Sequence, residues 1–228
     1  MQLRELHDWD VTTAAARHIQ ERLTRRIELR PLPEDISLVG GADVAVSREA
    51  GLVFAAALVF TFPQMELVEQ ATAHVGAVFP YVPGLLTFRE GPALVHAFEA
   101  LQTVPDVFIF DGQGLAHPRR IGLACHMGLW LGAPTVGCAK SRLVGRHEEP
   151  GRRKGDSTPL TDGGEQIGVV LRTRDCVRPV FVSPGHLADL ATSARLVLRC
   201  CGRYRLPEPT RQAHMAVGRL KAAVLSGG

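Results

Sequence analysis

The spacing of hydrophobic positions along the chain changes period several times, and each change marks an expected element. Across residues 10–28, Ala15, Ile19, Leu23 and Ile27 recur every four positions with charge on the opposite side, which predicts a helix with one buried stripe. Pro31 and Pro33 close it. Apolar runs over 36–46 and 51–62, joined by the polar turn 47–50, and a β-leaning stretch over 67–79 predict three strands in an antiparallel meander. Residues 80–92 are punctuated by Pro80, Pro83, Gly84, Gly91 and Pro92 and read as a loop, with a helix expected over 93–101.

The compact run Val107-Phe108-Ile109-Phe110 has the length and composition of a strand buried on both faces. It ends on Asp111 and a turn containing Gly112 and Gly114. A helix is expected over about 119–131, a strand over 135–139, and a polar, basic surface loop over 145–164. Strands over 167–172 and 179–183 and helices over 187–200 and 210–225 complete the chain. Strands mixed with helices in this order predict an α/β fold, a mixed sheet flanked by helices, with residues 1–228 forming a single domain.

Composition narrows the function. An apolar content of 46% supplies a core, and a net charge of +3 confines any basic footprint to a local patch. Lysine is scarce (Lys140, Lys154 and Lys221), so each one is conspicuous. The five cysteines form no Cys-x-x-Cys pair and read as reduced core thiols. With no apolar leader and no run of membrane-spanning length, a cytoplasmic protein with no membrane partner is expected.

Asp43 interrupts an otherwise apolar strand, where a carboxylate is costly unless it is paired or binds a cation. If the strand ending at Asp111 lies beside it, two carboxylates converge and recruit a hard divalent ion; Glu90 is a candidate third oxygen ligand. Each residue also has a plain reading: Asp43 as a turn or bulge, Asp111 as a helix cap, Glu90 as first-turn helix charge. An Asp/Asp/Glu set without Cys suits Mg²⁺ or Mn²⁺ and phosphodiester hydrolysis. His117 is placed to orient a water or meet a phosphate, and Lys140 stands as a cation at another strand end. Tyr81, on a proline-stiffened loop, suits wedging into a base stack. Gly84, Gly114 and Gly122 permit close backbone approach to a flipped base. Arg119, Arg120, Arg142 and the basic residues 146–154 are candidate phosphate contacts.

The segments GADVAVS (41–47), PYVPGLLTFREGP (80–92), DGQGLAHPRRIGLACHMG (111–128), CAKSRLVG (138–145), VSPGHLADL (182–190) and RLPEPTRQAH (205–214) together resemble the endonuclease V family, the deoxyinosine 3′-endonucleases. The resemblance spans nearly the whole chain. It implies a ribonuclease H-like fold and Mg²⁺-dependent hydrolysis, Mn²⁺ substituting, of the second phosphodiester bond 3′ to a deaminated adenine. The implied partner is DNA containing deoxyinosine, with inosine-containing RNA as the alternative, and the implied state is a monomer. On the matching positions it implies metal ligation by Asp43, Glu90 and Asp111, and catalytic importance for His117, Lys140 and the site-proximal His214. It further implies a strand-separating wedge at Pro80, Tyr81, Val82 and Pro83, and a base pocket from Gly84, Leu86, Gly122, Leu123 and Leu143. Ala42, Ala45 and Cys138 depart from the usual pattern without removing a charged group.

Overall fold

In the computed structural model, which describes residues 1–227, the meander forms as expected. Strands β1 (Leu38–Ser47), β2 (Leu52–Thr61) and β3 (Leu67–Gly76) pair antiparallel in sequence. The buried run becomes β4 (Val107–Phe110), which lies parallel to β1, and β5 (Thr135–Ala139) lies parallel to β4. Strands β6 (Ser157–Asp162), β7 (Glu165–Leu171) and β8 (Val180–Pro184) complete one eight-stranded mixed sheet in the order β3-β2-β1-β4-β5-β8-β7-β6.

Alternation along β4 explains how the sheet is covered. Phe108 and Phe110 join Ala42, Phe98, Met127 and Trp130 on one face, under helices α2 (Leu86–Ala100) and α3 (Leu123–Leu131). Val107 and Ile109 point the other way, to Leu196 and Val197 of α4 (Leu190–Cys200). Beside them Phe54, Ala56, Leu58 and Phe60 of β2 meet Ala213, Ala216 and Val217 of α5 (Glu208–Ser226). All four β4 residues are fully buried, as a strand covered on both faces requires. The mixed α/β sheet flanked by helices is therefore observed.

Four elements differ from the expectation. Helix α1 spans Thr13–Thr24, shorter than 10–28, because Thr12 caps it by accepting from the Ala15 amide at 3.2 Å. Helix α2 starts at Leu86, so Glu90 and Pro92 lie inside it, not before it. Burial of Thr87, Phe88, Gly91, Ala93 and Leu94 outweighs the backbone hydrogen bond that Pro92 cannot donate. Helix α3 begins only at Leu123, which leaves Arg119 and Arg120 in the preceding turn, Arg120 in the left-handed region at φ 56°. The expected loop 145–164 contains β6, whose pairing with β7 supplies partners the local sequence does not reveal. Among the described residues no helix is long and apolar enough to cross a membrane.

Candidate metal centre and cleft

The parallel register of β1 and β4 brings the two aspartates together. Ala42 pairs with Phe110, and the Asp111 amide donates to the Ala42 carbonyl at 3.2 Å. Asp43 and Asp111 each follow one of these partners, and both leave the sheet on the same side. That side faces α5. At Gly41 any Cβ would collide with the Pro209 backbone, so its absence lets the start of α5 sit directly on β1. One and a half turns along that helix, the Nδ1 of His214 is hydrogen-bonded to Asp43 Oδ2 at 2.7 Å. Lys140, the residue after β5, donates its ammonium to Asp111 Oδ2.

Asp43, Asp111 and His214 each offer a ligand atom within 4.8 Å of the others. Burial raises the Asp43 carboxyl above its ordinary range, and the Asp111 charge raises it further. A desolvated carboxylate pushed up by a second one gains from a cation between them, and this donor set of oxygens and one imidazole fits a divalent ion. Glu90 projects from α2 into the same cleft but stands outside that trio. Burial pushes its carboxyl up to about 8, helped by the charges of Asp43 and Asp111. The third acid that the sequence pairs with the aspartates thus lies outside the tightest cluster, which His214 completes.

From the aspartates a cleft of about 380 Å³ runs to an apolar end formed by Val82, Gly84, Leu86, Gly122, Leu123 and Leu143. Tyr81 stands at its rim, 59% exposed, with the Arg48 guanidinium 5.6 Å from the ring centre. Pro83 lines the cleft beside it, while Pro80 is exposed outside the wall. Gly84 has φ 77°, a left-handed conformation natural only to glycine, and it turns its carbonyl inward. Three donors converge on that oxygen: Gln20 Nε2 at 3.0 Å, His117 Nε2 at 3.1 Å and Arg119 Nη2 at 2.6 Å.

His117 therefore has a defined tautomer. Its Nδ1 accepts from the Arg119 amide at 3.2 Å, so the ring proton sits on Nε2 and is donated to Gly84. Burial and the Arg119 charge depress its pKa to about 4, which keeps the ring neutral. In this arrangement Nε2 holds the Gly84 carbonyl and Nδ1 holds the Arg119 amide, so neither is free toward the cleft.

The two arginines before α3 both have protein partners. Arg119 is committed to Gly84 and, through Nε at 2.6 Å, to Gln20. Arg120 is paired with Asp162 at 3.0 Å and Glu165 at 2.7 Å, tying its turn to the β6–β7 hairpin. These acceptors engage every nitrogen of Arg120 but only Nε and Nη2 of Arg119, whose Nη1 has no protein acceptor among the described residues; Arg142 is exposed on the cleft wall. Two residues passed unnoticed in the sequence. Gln20 lies in a helix whose spacing marks only the apolar stripe, yet it is 1% exposed. Arg205, visible only as the first residue of RLPEPTRQAH, donates from Nη2 to the carbonyls of Lys140 at 2.7 Å and Pro179 at 2.8 Å.

The profile of the endonuclease V family matches residues 21–215. An endonuclease V of Dehalococcoides mccartyi is 45% identical over 220 residues, covering 96% of this chain and 99% of its own length. The crystal structure of the endonuclease V of Streptomyces avermitilis superposes with a TM-score of 0.91 at 42% identity, over 95% of this chain and 96% of that one. The endonuclease V of Ciona intestinalis, in complex with a 24mer DNA containing an inosine followed by a ribo-adenosine, gives a TM-score of 0.82 at 28% identity, covering 92% and 98%.

Proposed function

Since the chain belongs to the endonuclease V family, we propose that it is a DNA repair endonuclease that recognises deoxyinosine and hydrolyses the second phosphodiester bond 3′ to it, with Mg²⁺ as cofactor and Mn²⁺ able to substitute. It works as a single cytoplasmic domain and a monomer. The observation that carries this reading is one cleft with a convergent acidic cluster at one end and an apolar, glycine-lined socket at the other. The distance between reacting group and recognised base is thereby built into the fold.

Asp43 and Asp111, with Glu90 from the same cleft, would hold the cation. When bound it neutralises the phosphate and lowers the pKa of water. Lys140 keeps a positive charge against Asp111 and faces the same phosphate. His214 orients the Asp43 carboxylate from α5. His117 keeps Gly84 in place as one wall of the base socket, with Leu86, Gly122, Leu123 and Leu143 around it. The wedge Pro80, Tyr81, Val82 and Pro83 occupies the gap left when the base is drawn out.

The reading is tested with end-labelled DNA carrying one inosine, incubated in Mg²⁺ and in EDTA. A single cut one nucleotide beyond the inosine's own 3′ bond, abolished by EDTA, is expected. Asp43→Asn and Asp111→Asn should each lower the cleavage rate by about a hundredfold or more, the scale of removing an electrostatic catalytic group. Both should still bind inosine DNA; wild-type cleavage by either variant removes that residue from the centre. A second reading, a nuclease for inosine-containing RNA, is favoured by the ribo-adenosine that follows inosine in the Ciona ligand. Matched RNA in the same assay decides between them.

A further inference from the structure

The cleft does not stop at Lys140. Beyond Lys140, Ser141 and Arg142, which line both spaces, a second hollow of about 480 Å³ opens over Pro179 and Phe181. Its charge is lopsided. Arg142 and Arg178 are exposed, and among the described residues neither has an ion-pair or hydrogen-bond partner. The carboxylate in the hollow, Glu149, is already bound by Arg172 at 2.7 Å.

Arg205 differs from the other two. Its Nη2 bridges the Lys140 and Pro179 carbonyls, which pins the guanidinium across the junction of β5 and β8. Among the described residues its Nη1 has no protein acceptor. A guanidinium held in place in this way loses little freedom on meeting an anion. Of the arginines before α3, Arg120 is ion-paired to Asp162 and Glu165 and Arg119 is partly buried against Gly84 and Gln20, whereas Arg142 and Arg178 in this hollow are exposed without such partners among the described residues.

We infer that the hollow is a phosphate subsite, which holds the phosphodiester next to the one at the acidic cluster, with Arg205 as its fixed contact and Arg142 and Arg178 as its mobile ones. The shared wall explains the placement. A strand with one phosphate beside Lys140 continues past Ser141, either into the base socket or into this hollow. The inference rests on the nucleic-acid cleavage proposed above and adds where the strand goes next.

The experiment measures equilibrium binding of inosine DNA in EDTA across a salt series, with cleavage in Mg²⁺ run in parallel. Arg178→Ala should weaken binding about 3- to 10-fold near 0.1 M salt and reduce the slope of log affinity against log salt by about 0.7–0.9, the signature of one lost phosphate contact. The loss should be equal for inosine and adenine DNA, because a phosphate contact carries no base information. Arg178→Glu should weaken binding further, and Arg142→Ala with Arg178→Ala should lower the slope by about twice as much as one substitution. Arg195→Ala, which removes an exposed charge from α4, should leave the slope unchanged. Unaltered affinity and slope in Arg178→Glu and in the double variant overturn the subsite even where wild-type protein cleaves inosine DNA. If wild-type protein binds but fails to cleave, the nuclease reading falls and the slopes still decide the subsite. Absence of DNA binding by wild-type protein overturns both.

Discussion

Tyr81 separates stability from selectivity. Its ring is mostly solvated, so Tyr81→Ala should change unfolding free energy by no more than about 0.5 kcal/mol. In the proposed role the same substitution removes a stacking partner, and the preference for inosine over adenine sites should fall roughly tenfold. Competition between the two DNAs measures the preference, and urea denaturation measures the stability. Undiminished selectivity would return Tyr81 to the role of loop cover. Other residues were legible to different degrees. Asp43 was readable because a charge inside an apolar run has few physical excuses. Arg119 and Arg120 were visible as charges, but a sequence shows a charge and not its partner, and their partners lie at Gln20, Asp162 and Glu165.

Helix α1 touches no reacting group and still reaches the socket, through Gln20 and through Ala16 and Ile19 packed with Leu85 and Val82. Gln20 donates to the Gly84 carbonyl and accepts from Arg119, so Gln20→Ala strips an acceptor from a guanidinium that is itself partly buried. A loss of about 1–3 kcal/mol is expected. Hydrogen exchange should speed up in residues 80–85 while β4 stays protected; uniform exchange change, or none, would show that α1 does not brace this loop. Element boundaries failed in the sequence where tertiary burial overrode local signals. Pro92 reads as a breaker and sits inside α2, and β6 reads as loop because its polar outer positions face solvent at a sheet edge. The central strands were legible because burial on both faces leaves an unmistakable apolar run.

Across the whole molecule, buried titratable groups set a pH optimum for folding. His7, His117, His126 and His186 all have depressed pKa values, caused first by burial, with His117 at about 4 against an ordinary 6.5. Between those limits the unfolded chain binds more protons than the folded one, so stability rises with pH. Glu90 acts oppositely. Its folded value of about 8 lies above the ordinary 4.5, so the folded chain holds the extra proton and stability falls as pH climbs toward 8. In EDTA the histidine effect fades as pH rises past 6.5 and the carboxyl effect takes over. Stability should therefore peak at about pH 7. Chemical denaturation from pH 4 to 8 checks this, and Glu90→Gln should flatten the alkaline decline. A curve still rising at pH 8 would contradict the burial described for Glu90.

The rung between Ala42 and Phe110 makes the catalytic proposal depend on arithmetic as well as chemistry. Side chains on a strand alternate, so deleting or adding one residue between Val39 and Asp43 would swing the carboxylate through the sheet into the aromatic layer of Phe98 and Phe110. Along that short span the number of residues is fixed by register, and at Gly40 and Gly41 the absence of a side chain is fixed as well.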